Sequence, residues 1–169
     1  VIARVDKYPA EGKAGVARIE RLLDPDRPVT LATEAAIAKI GLPRDFSAEA
    51  VRNAESFGSQ VDPKEAARRV DLRGVPLVTI DGEDAKDFDD AVYAEATPTG
   101  FRLLVAIADV SHYVREGSAL DDEARERGTS VYFPNRVLPM LPEALSNGLC
   151  SLVPDEDRLC VCYELRVSD

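Results

Sequence analysis

Asp81-Gly82-Glu83-Asp84-Ala85-Lys86-Asp87-Phe88-Asp89-Asp90 holds six acids and one base, a formal charge of −5 in ten residues, half of the net −10 of the 169-residue chain. The run follows the apolar segment Val75-Pro76-Leu77-Val78-Thr79-Ile80 and leads into Ala91-Val92-Tyr93. That pattern predicts carboxylates pinned between two buried strands. Like charges so close raise one another's pKa or need a cation between them. Carboxylates without nearby His or Cys suit hard divalent ions, Mg²⁺ with Mn²⁺ as a substitute, and such ions serve phosphoryl-transfer chemistry. Asp87 and Asp89, two apart, face one way in an extended segment. A turn at Gly82 would bring Asp81 back against Asp87–Asp90, with Phe88 anchoring the segment. An EF-hand loop fails because Gly at its sixth and Glu at its twelfth position are never met together. An aspartyl-phosphate enzyme would want Asp-x-Asp where this chain has Asp81-Gly82-Glu83. The plain alternative is a solvated acidic loop.

Outward from this run, the texture divides in two. Upstream, Val1–Tyr8 and Gly15–Leu23 read as strands joined through Pro9–Gly12. Leu31–Ile40 reads as a helix stopped by Gly41 and Pro43, and Ser47 caps a second helix through about Phe57. Asp62-Pro63-Lys64-Glu65 starts a short third helix. Downstream, Leu77–Ile80 reads as a strand, Ala91–Ala96 and Phe101–Ala108 as a hairpin, and Ser118 caps a helix from Ala119 to Arg127 closed by Gly128. Val131–Pro134 is extended, and Pro142 opens a short helix near Leu145 and Leu149, which read as core. In Arg158–Val167, Leu159, Val161, Tyr163, Leu165 and Val167 alternate with Cys160, Cys162, Glu164 and Arg166, which predicts a strand with its apolar side inward. The mixture predicts an α+β chain.

Composition excludes several classes. No run of 18 apolar residues exists, so no membrane-spanning helix is expected, and Val1–Asp6 does not read as a signal peptide. The chain opens in a strand-like pattern and stops just after another, as a piece of a longer protein would. Cys150, Cys160 and Cys162 read as reduced thiols of a cytoplasmic protein, with Cys160 and Cys162 packing on a strand in preference to holding zinc. His112 is a possible base or ligand and more commonly a structural histidine. Tyr132 is a candidate base-stacking ring or an ordinary strand aromatic. Arg136, beside Asn135, is a candidate phosphate contact or a plain surface arginine. The acidic balance lacks the basic footprint usual for nucleic-acid binders.

Several motifs in order resemble the RNase II/RNase R (RNB) family of exoribonucleases. They are Asp71-Leu72-Arg73, Thr79 through Val92, Val105 through Val114, Ser130-Val131-Tyr132-Phe133-Pro134 and Pro139 through Leu152. The Gly82-Glu83-Asp84-Ala85 wording and Ser111-His112-Tyr113 are more similar to the RNase R branch. The resemblance implies that Asp81, Asp87, Asp89 and Asp90 form the metal site, with Asp89 and Asp90 catalytic, and that Tyr132 clamps the RNA 3′ end. It implies processive hydrolysis of single-stranded RNA from the 3′ end to 5′-nucleotides, with two Mg²⁺ ions. It further implies three segments: residues 1–24 as the tail of a cold-shock-like OB barrel, 25–70 as a helical linker, and 71–169 as the N-terminal part of the catalytic domain. The family's further catalytic arginine and glutamate, and its C-terminal OB-type domain, have no counterpart in these residues. A non-catalytic, metal-dependent RNA-binding module on the same fold is the alternative.

Overall fold

The computed structural model describes every residue except Asp84 and Asp169; the Asp84 of the acidic motif therefore lies outside the described residues. The chain is mixed α and β, and it divides into two compact units. One comprises Val1–Asp45 with Ser130–Leu138, the other Phe46–Thr129 with Pro139–Asp169. A hairpin from late in the chain thus groups with the first 45 residues.

In the first unit, β1 (Ile2–Lys7) and β2 (Val16–Arg21) form an antiparallel pair. Helix α1 spans Pro28–Ile40, three residues earlier than Leu31, because Pro28 occupies the first helical position, where its missing N–H costs nothing. It ends at Gly41, whose φ of +77° lets its N–H reach the Ile37 carbonyl. Its buried residues are Thr33, Glu34 and Ile37, so two of three are polar. Strands β5 (Val131–Phe133) and β6 (Arg136–Leu138) make a hairpin whose second strand the sequence reading missed. Asn135 in its turn ties it to α1. It accepts from the Thr33 hydroxyl at 2.9 Å, and its amide donates to Thr30 Oγ1 at 3.2 Å.

In the second unit, α2 (Ala48–Glu55) is capped by Ser47, whose hydroxyl accepts from the Ala50 N–H at 3.1 Å. The short α3 (Pro63–Ala66) is capped by Asp62. Strands β3 (Asp90–Thr97), β4 (Gly100–Ala108) and β7 (Cys160–Ser168) form one antiparallel sheet in that order. Between them in sequence come α4 (Val110–Tyr113) and α5 (Ala119–Arg127), the latter capped by Ser118 and closed by Gly128 as read. Ala144–Leu149 is π-helical. Ala50, Ala54, Tyr113, Leu120, Leu145, Leu149, Cys150 and Leu159 make the core. Gly100 has φ +134°, and a Cβ there would sit 1.9 Å from the Val167 carbonyl oxygen, so only glycine lets β4 and β7 start their pairing.

Two expectations need correction. Leu77–Ile80 is not a strand: only Val78 pairs, through reciprocal bonds with Val92 of 2.9 and 2.8 Å, and Ile80 is 84% exposed. Pro76 has no N–H to extend a ladder. The acidic run thus starts from an exposed arm held at one point, and only its far end enters a sheet. The inward side of β7 is also reversed. Cys160 and Cys162 are half-buried, whereas Val161, Tyr163, Leu165 and Val167 are exposed. On β4 the buried positions are Gly100, Leu104, Ala106 and Ala108, and Ala106 and Ala108 stand opposite Cys162 and Cys160. The core face is built from small residues, so hydropathy points to the wrong side.

Candidate metal centre and nucleic-acid interface

The last acid of the run, Asp90, is the first residue of β3, opposite Ile107 of β4. The residues before it are fixed by backbone hydrogen bonds. The Ala108 N–H donates to the Asp89 carbonyl at 2.9 Å, and the Leu152 N–H donates to the Phe88 carbonyl at 2.9 Å. Ser151, fully buried, lies between. Its Oγ accepts from the Phe88 N–H at 3.0 Å and donates to the Lys86 carbonyl at 2.8 Å. Arg158 holds this clasp from behind, donating from Nε to the Gly148 and Ser151 carbonyls at 3.0 Å each. A buried hydroxyl bound on both sides leaves no polar group unsatisfied and gives residues 86–89 little freedom to shift.

At the other end, the Ala85 N–H donates to the Gly82 carbonyl at 3.0 Å, so the chain turns where Gly82 was expected to turn it. The result is electrostatic. The Asp89 carboxyl is raised above its ordinary range, first by partial burial and then by the charges of Asp87, Asp90 and Asp81. All four aspartates of the sequence reading therefore share one neighbourhood. Asp81, Asp89 and Asp90 are exposed at the residue level, so water reaches this charge even though the Asp89 carboxyl is partly covered. Among the described residues no lysine or arginine pairs with Asp81, Asp89 or Asp90, and no three His, Cys, Asp or Glu side chains are already gathered as a ligand set. The donors are all oxygen and mutually repelling, which fits a hard divalent ion.

The neighbouring carboxylate has another use. Asp109 is buried. Its carboxyl accepts from Arg69 Nη1 at 2.8 Å, Ser111 Oγ at 2.7 Å and the His112 N–H at 3.2 Å. Burial pushes this carboxyl up, yet the bonds from Ser111 and Arg69 bring it below its ordinary range on balance. His112 packs edge-on against Tyr113 at 4.8 Å, with Nδ1 3.8 Å from Glu65, the surroundings of a structural histidine. Cys150 is buried and its thiol pushed up to about 12, first by that burial and then by Asp109 and Asp89, so it stays protonated and inert.

Tyr132 is 63% exposed on β5, opposite Val137. Arg136 pairs with Phe133 in the next register position, so it lies on the other face of the hairpin, where Nη1 donates to Glu34 Oε1 at 3.0 Å. The two candidate RNA contacts therefore do not share one surface. Ser151 and Arg158 are the residues the sequence reading passed over. Ser151 stood inside a quoted motif, but a buried serine looks like any other in sequence.

The acidic cluster thus stands at the head of a sheet strand in a mixed α and β unit. The RNB domain profile matches residues 69–169, and the chain belongs to that family. It is 50% identical over 167 residues to Ribonuclease R of Acidithiobacillus ferrooxidans, which covers 99% of this chain and 38% of that relative. It is 48% identical over 169 residues to Ribonuclease R of Escherichia coli, covering 99% and 21%. Among solved structures, Mycoplasma genitalium RNase R in complex with ribose methylated single-stranded RNA matches with a TM-score of 0.85 at 34% identity, over 98% of this chain and 26% of that one. The fold alone is shared with yeast Ssd1, a pseudonuclease, at a TM-score of 0.56 and 19% identity. The chain spans well under half the length of these curated relatives.

Proposed function

We propose that these residues belong to a cytoplasmic 3′-to-5′ exoribonuclease that hydrolyses RNA processively to 5′-nucleotides, with Asp81, Asp87, Asp89 and Asp90 as the metal site. The observation that carries this reading is the placement of Asp89 and Asp90 on hydrogen-bonded backbone at the mouth of β3, with Asp87 and Asp81 near enough for their charges to act on the Asp89 carboxyl. Because a pseudonuclease shares the fold, the activity rests on these side chains, and all four are present. The Mycoplasma relative, solved with single-stranded and with double-stranded RNA, supports RNA as the substrate class.

Asp81, Asp87, Asp89 and Asp90 would hold two Mg²⁺ ions, which would supply charge neutralisation and an activated water for in-line displacement. The protein's part is to place the carboxylates. Asp89 and Asp90 stand on backbone locked by Ala108, Ser151 and Leu152, so the oxygens are presented from a fixed frame. Asp81 comes from the exposed arm that Val78 joins to β3. Tyr132 offers an exposed ring for the terminal base, a contact that tolerates any sequence.

The test is Asp89→Asn in the full-length protein. It keeps the size and removes one charge, so turnover on a single-stranded oligonucleotide falls by about 10²-fold or more. RNA affinity stays near that of the parent, since phosphate and stacking contacts lie elsewhere. Near-parental turnover would refute the assignment.

A further inference from the structure

The first unit contains a charge cluster of the opposite kind. Glu34 on α1 is buried, its side chain 7% exposed. Three arginines from separate places in the chain converge on it. Arg21 at the end of β2 and Arg44 after α1 each donate from Nη1 to Oε2, at 2.5 and 2.7 Å, and Arg136 at the start of β6 donates from Nη1 to Oε1 at 3.0 Å. Three cations on one anion leave the cluster at +2, in a chain whose net charge is −10.

Neutralising one buried carboxylate takes one well-placed arginine, and a second and third add mutual repulsion. Each guanidinium carries five N–H donors in a rigid fork, and the contact with Glu34 uses one nitrogen of each. The side chains of Arg21, Arg44 and Arg136 remain 36%, 33% and 30% exposed, so the unused edges reach water. Guanidinium forks match phosphate oxygens in geometry and charge.

We infer that Arg21, Arg44 and Arg136 form a contact for the RNA phosphodiester backbone, with Glu34 as the positioning residue that aims the three forks at one place. The inference rests on the RNA-binding reading above. It also accounts for the placement of Arg136 away from Tyr132. The hairpin offers a stacking ring on one face and a phosphate contact on the other, and phosphate contacts fix the path of a strand without reading its sequence.

The experiment uses the full-length protein and a 2′-O-methyl single-stranded RNA, which binds without being cut. Affinity is measured by fluorescence anisotropy across a salt series for the parent, Arg21→Gln, Arg44→Gln and Glu34→Gln. For single strands, each phosphate contact contributes about 0.7 to the slope of log affinity against log salt. Arg21→Gln and Arg44→Gln each flatten that slope by about 0.7, so from about 50 to 200 mM salt they lose roughly 2.6-fold less affinity than the parent. Both weaken binding at low salt, equally for oligonucleotides of different sequence.

Glu34→Gln keeps a side-chain oxygen that accepts from the forks but removes the negative charge, so it tightens binding at low salt even as it lowers the melting temperature. A merely structural cluster moves the other way: melting temperatures drop, salt slopes stay parental, and Glu34→Gln binds no tighter. Unchanged slopes in both arginine variants would overturn the inference even if Glu34→Gln fails to fold. A parent that binds no RNA at all would instead refute the broader functional reading.

Discussion

Glu34 and Asp89 are both carboxylates drawn into the protein, and the chain treats them oppositely. Glu34 is ringed by three arginines of its own chain. Asp89 has Asp87, Asp90 and Asp81 as its charged neighbours, and its carboxyl is driven up first by partial burial and then by them. Asp109, buried like Glu34, also receives an arginine, Arg69. Where a carboxylate serves the fold, the chain brings the compensating cation itself. At the mouth of β3 it brings more carboxylates and fixes their backbone through Ser151, and on the proposed reading the cation comes from solution. Such an arrangement is unfavourable for the isolated fold and useful only when something binds.

If Glu34 were dispensable, the two carboxylates would not differ in this way. Removing a carboxylate from among cations leaves the charges facing one another; for fully buried pairs the cost is about 3–5 kcal/mol. The arginines here are about one-third exposed and water partly screens them, so Glu34→Ala should cost about 3 kcal/mol or slightly less. Urea unfolding of the full-length protein measures it. A loss within error of zero would mean the arginines do not need their anion, and Glu34 would no longer be a counter-example to Asp89.

Divalent metal should separate the two carboxylates further. A ligand that binds only the folded state stabilises it by mass action, by about 1.4 kcal/mol when present at about ten times its dissociation constant. Mg²⁺ titrated into the full-length protein should therefore raise the melting temperature, whereas the same concentration of Na⁺ should not. Asp89→Asn should abolish most of that rise, and Arg44→Gln should leave it intact. A Mg²⁺-induced rise equal in parent and Asp89→Asn would place the cation elsewhere.

These differences also mark what the sequence made legible. The acidic run, its turn at Gly82, the hairpin across Thr97–Gly100 and the caps at Ser47, Asp62 and Ser118 all depend on local chemistry, and each is visible in a few adjacent residues. What stayed hidden depends on partners far along the chain. Ser151 acts on Lys86 and Phe88 across more than sixty positions, and Glu34 meets Arg136 across 102. No spacing rule announces such pairs. The face of β7 was misread for a related reason. Alternation shows which residues share a face, but which face is buried is decided by the neighbours. Here Ala91, Ala106 and Cys162, in register across three strands, give the core side.

The smallest expected effect is the most diagnostic, because its sign runs against the usual expectation for a substituted charge. The folded-state pKa of Asp89 lies above its ordinary value of 3.8, through burial and then three negative neighbours. At neutral pH both folded and unfolded chains carry Asp89 ionised, but only the folded chain bears the repulsion, so the ionised group subtracts from stability. As pH falls through the raised folded value, the folded carboxyl takes up a proton first and the penalty fades. Below the ordinary value both states are protonated and it is gone. Asp89→Asn carries no such penalty at any pH. Without divalent cations it should therefore unfold at slightly higher urea than the parent at pH 7, by less than the Mg²⁺ effect because solvent screens part of the repulsion. The gap should close as the pH drops toward 4. Saturating Mg²⁺ should reverse the order, the parent becoming the more stable of the two. If Asp89→Asn is instead the less stable protein at pH 7 without metal, the cluster is satisfied by its own chain and Asp89 belongs with Glu34 after all.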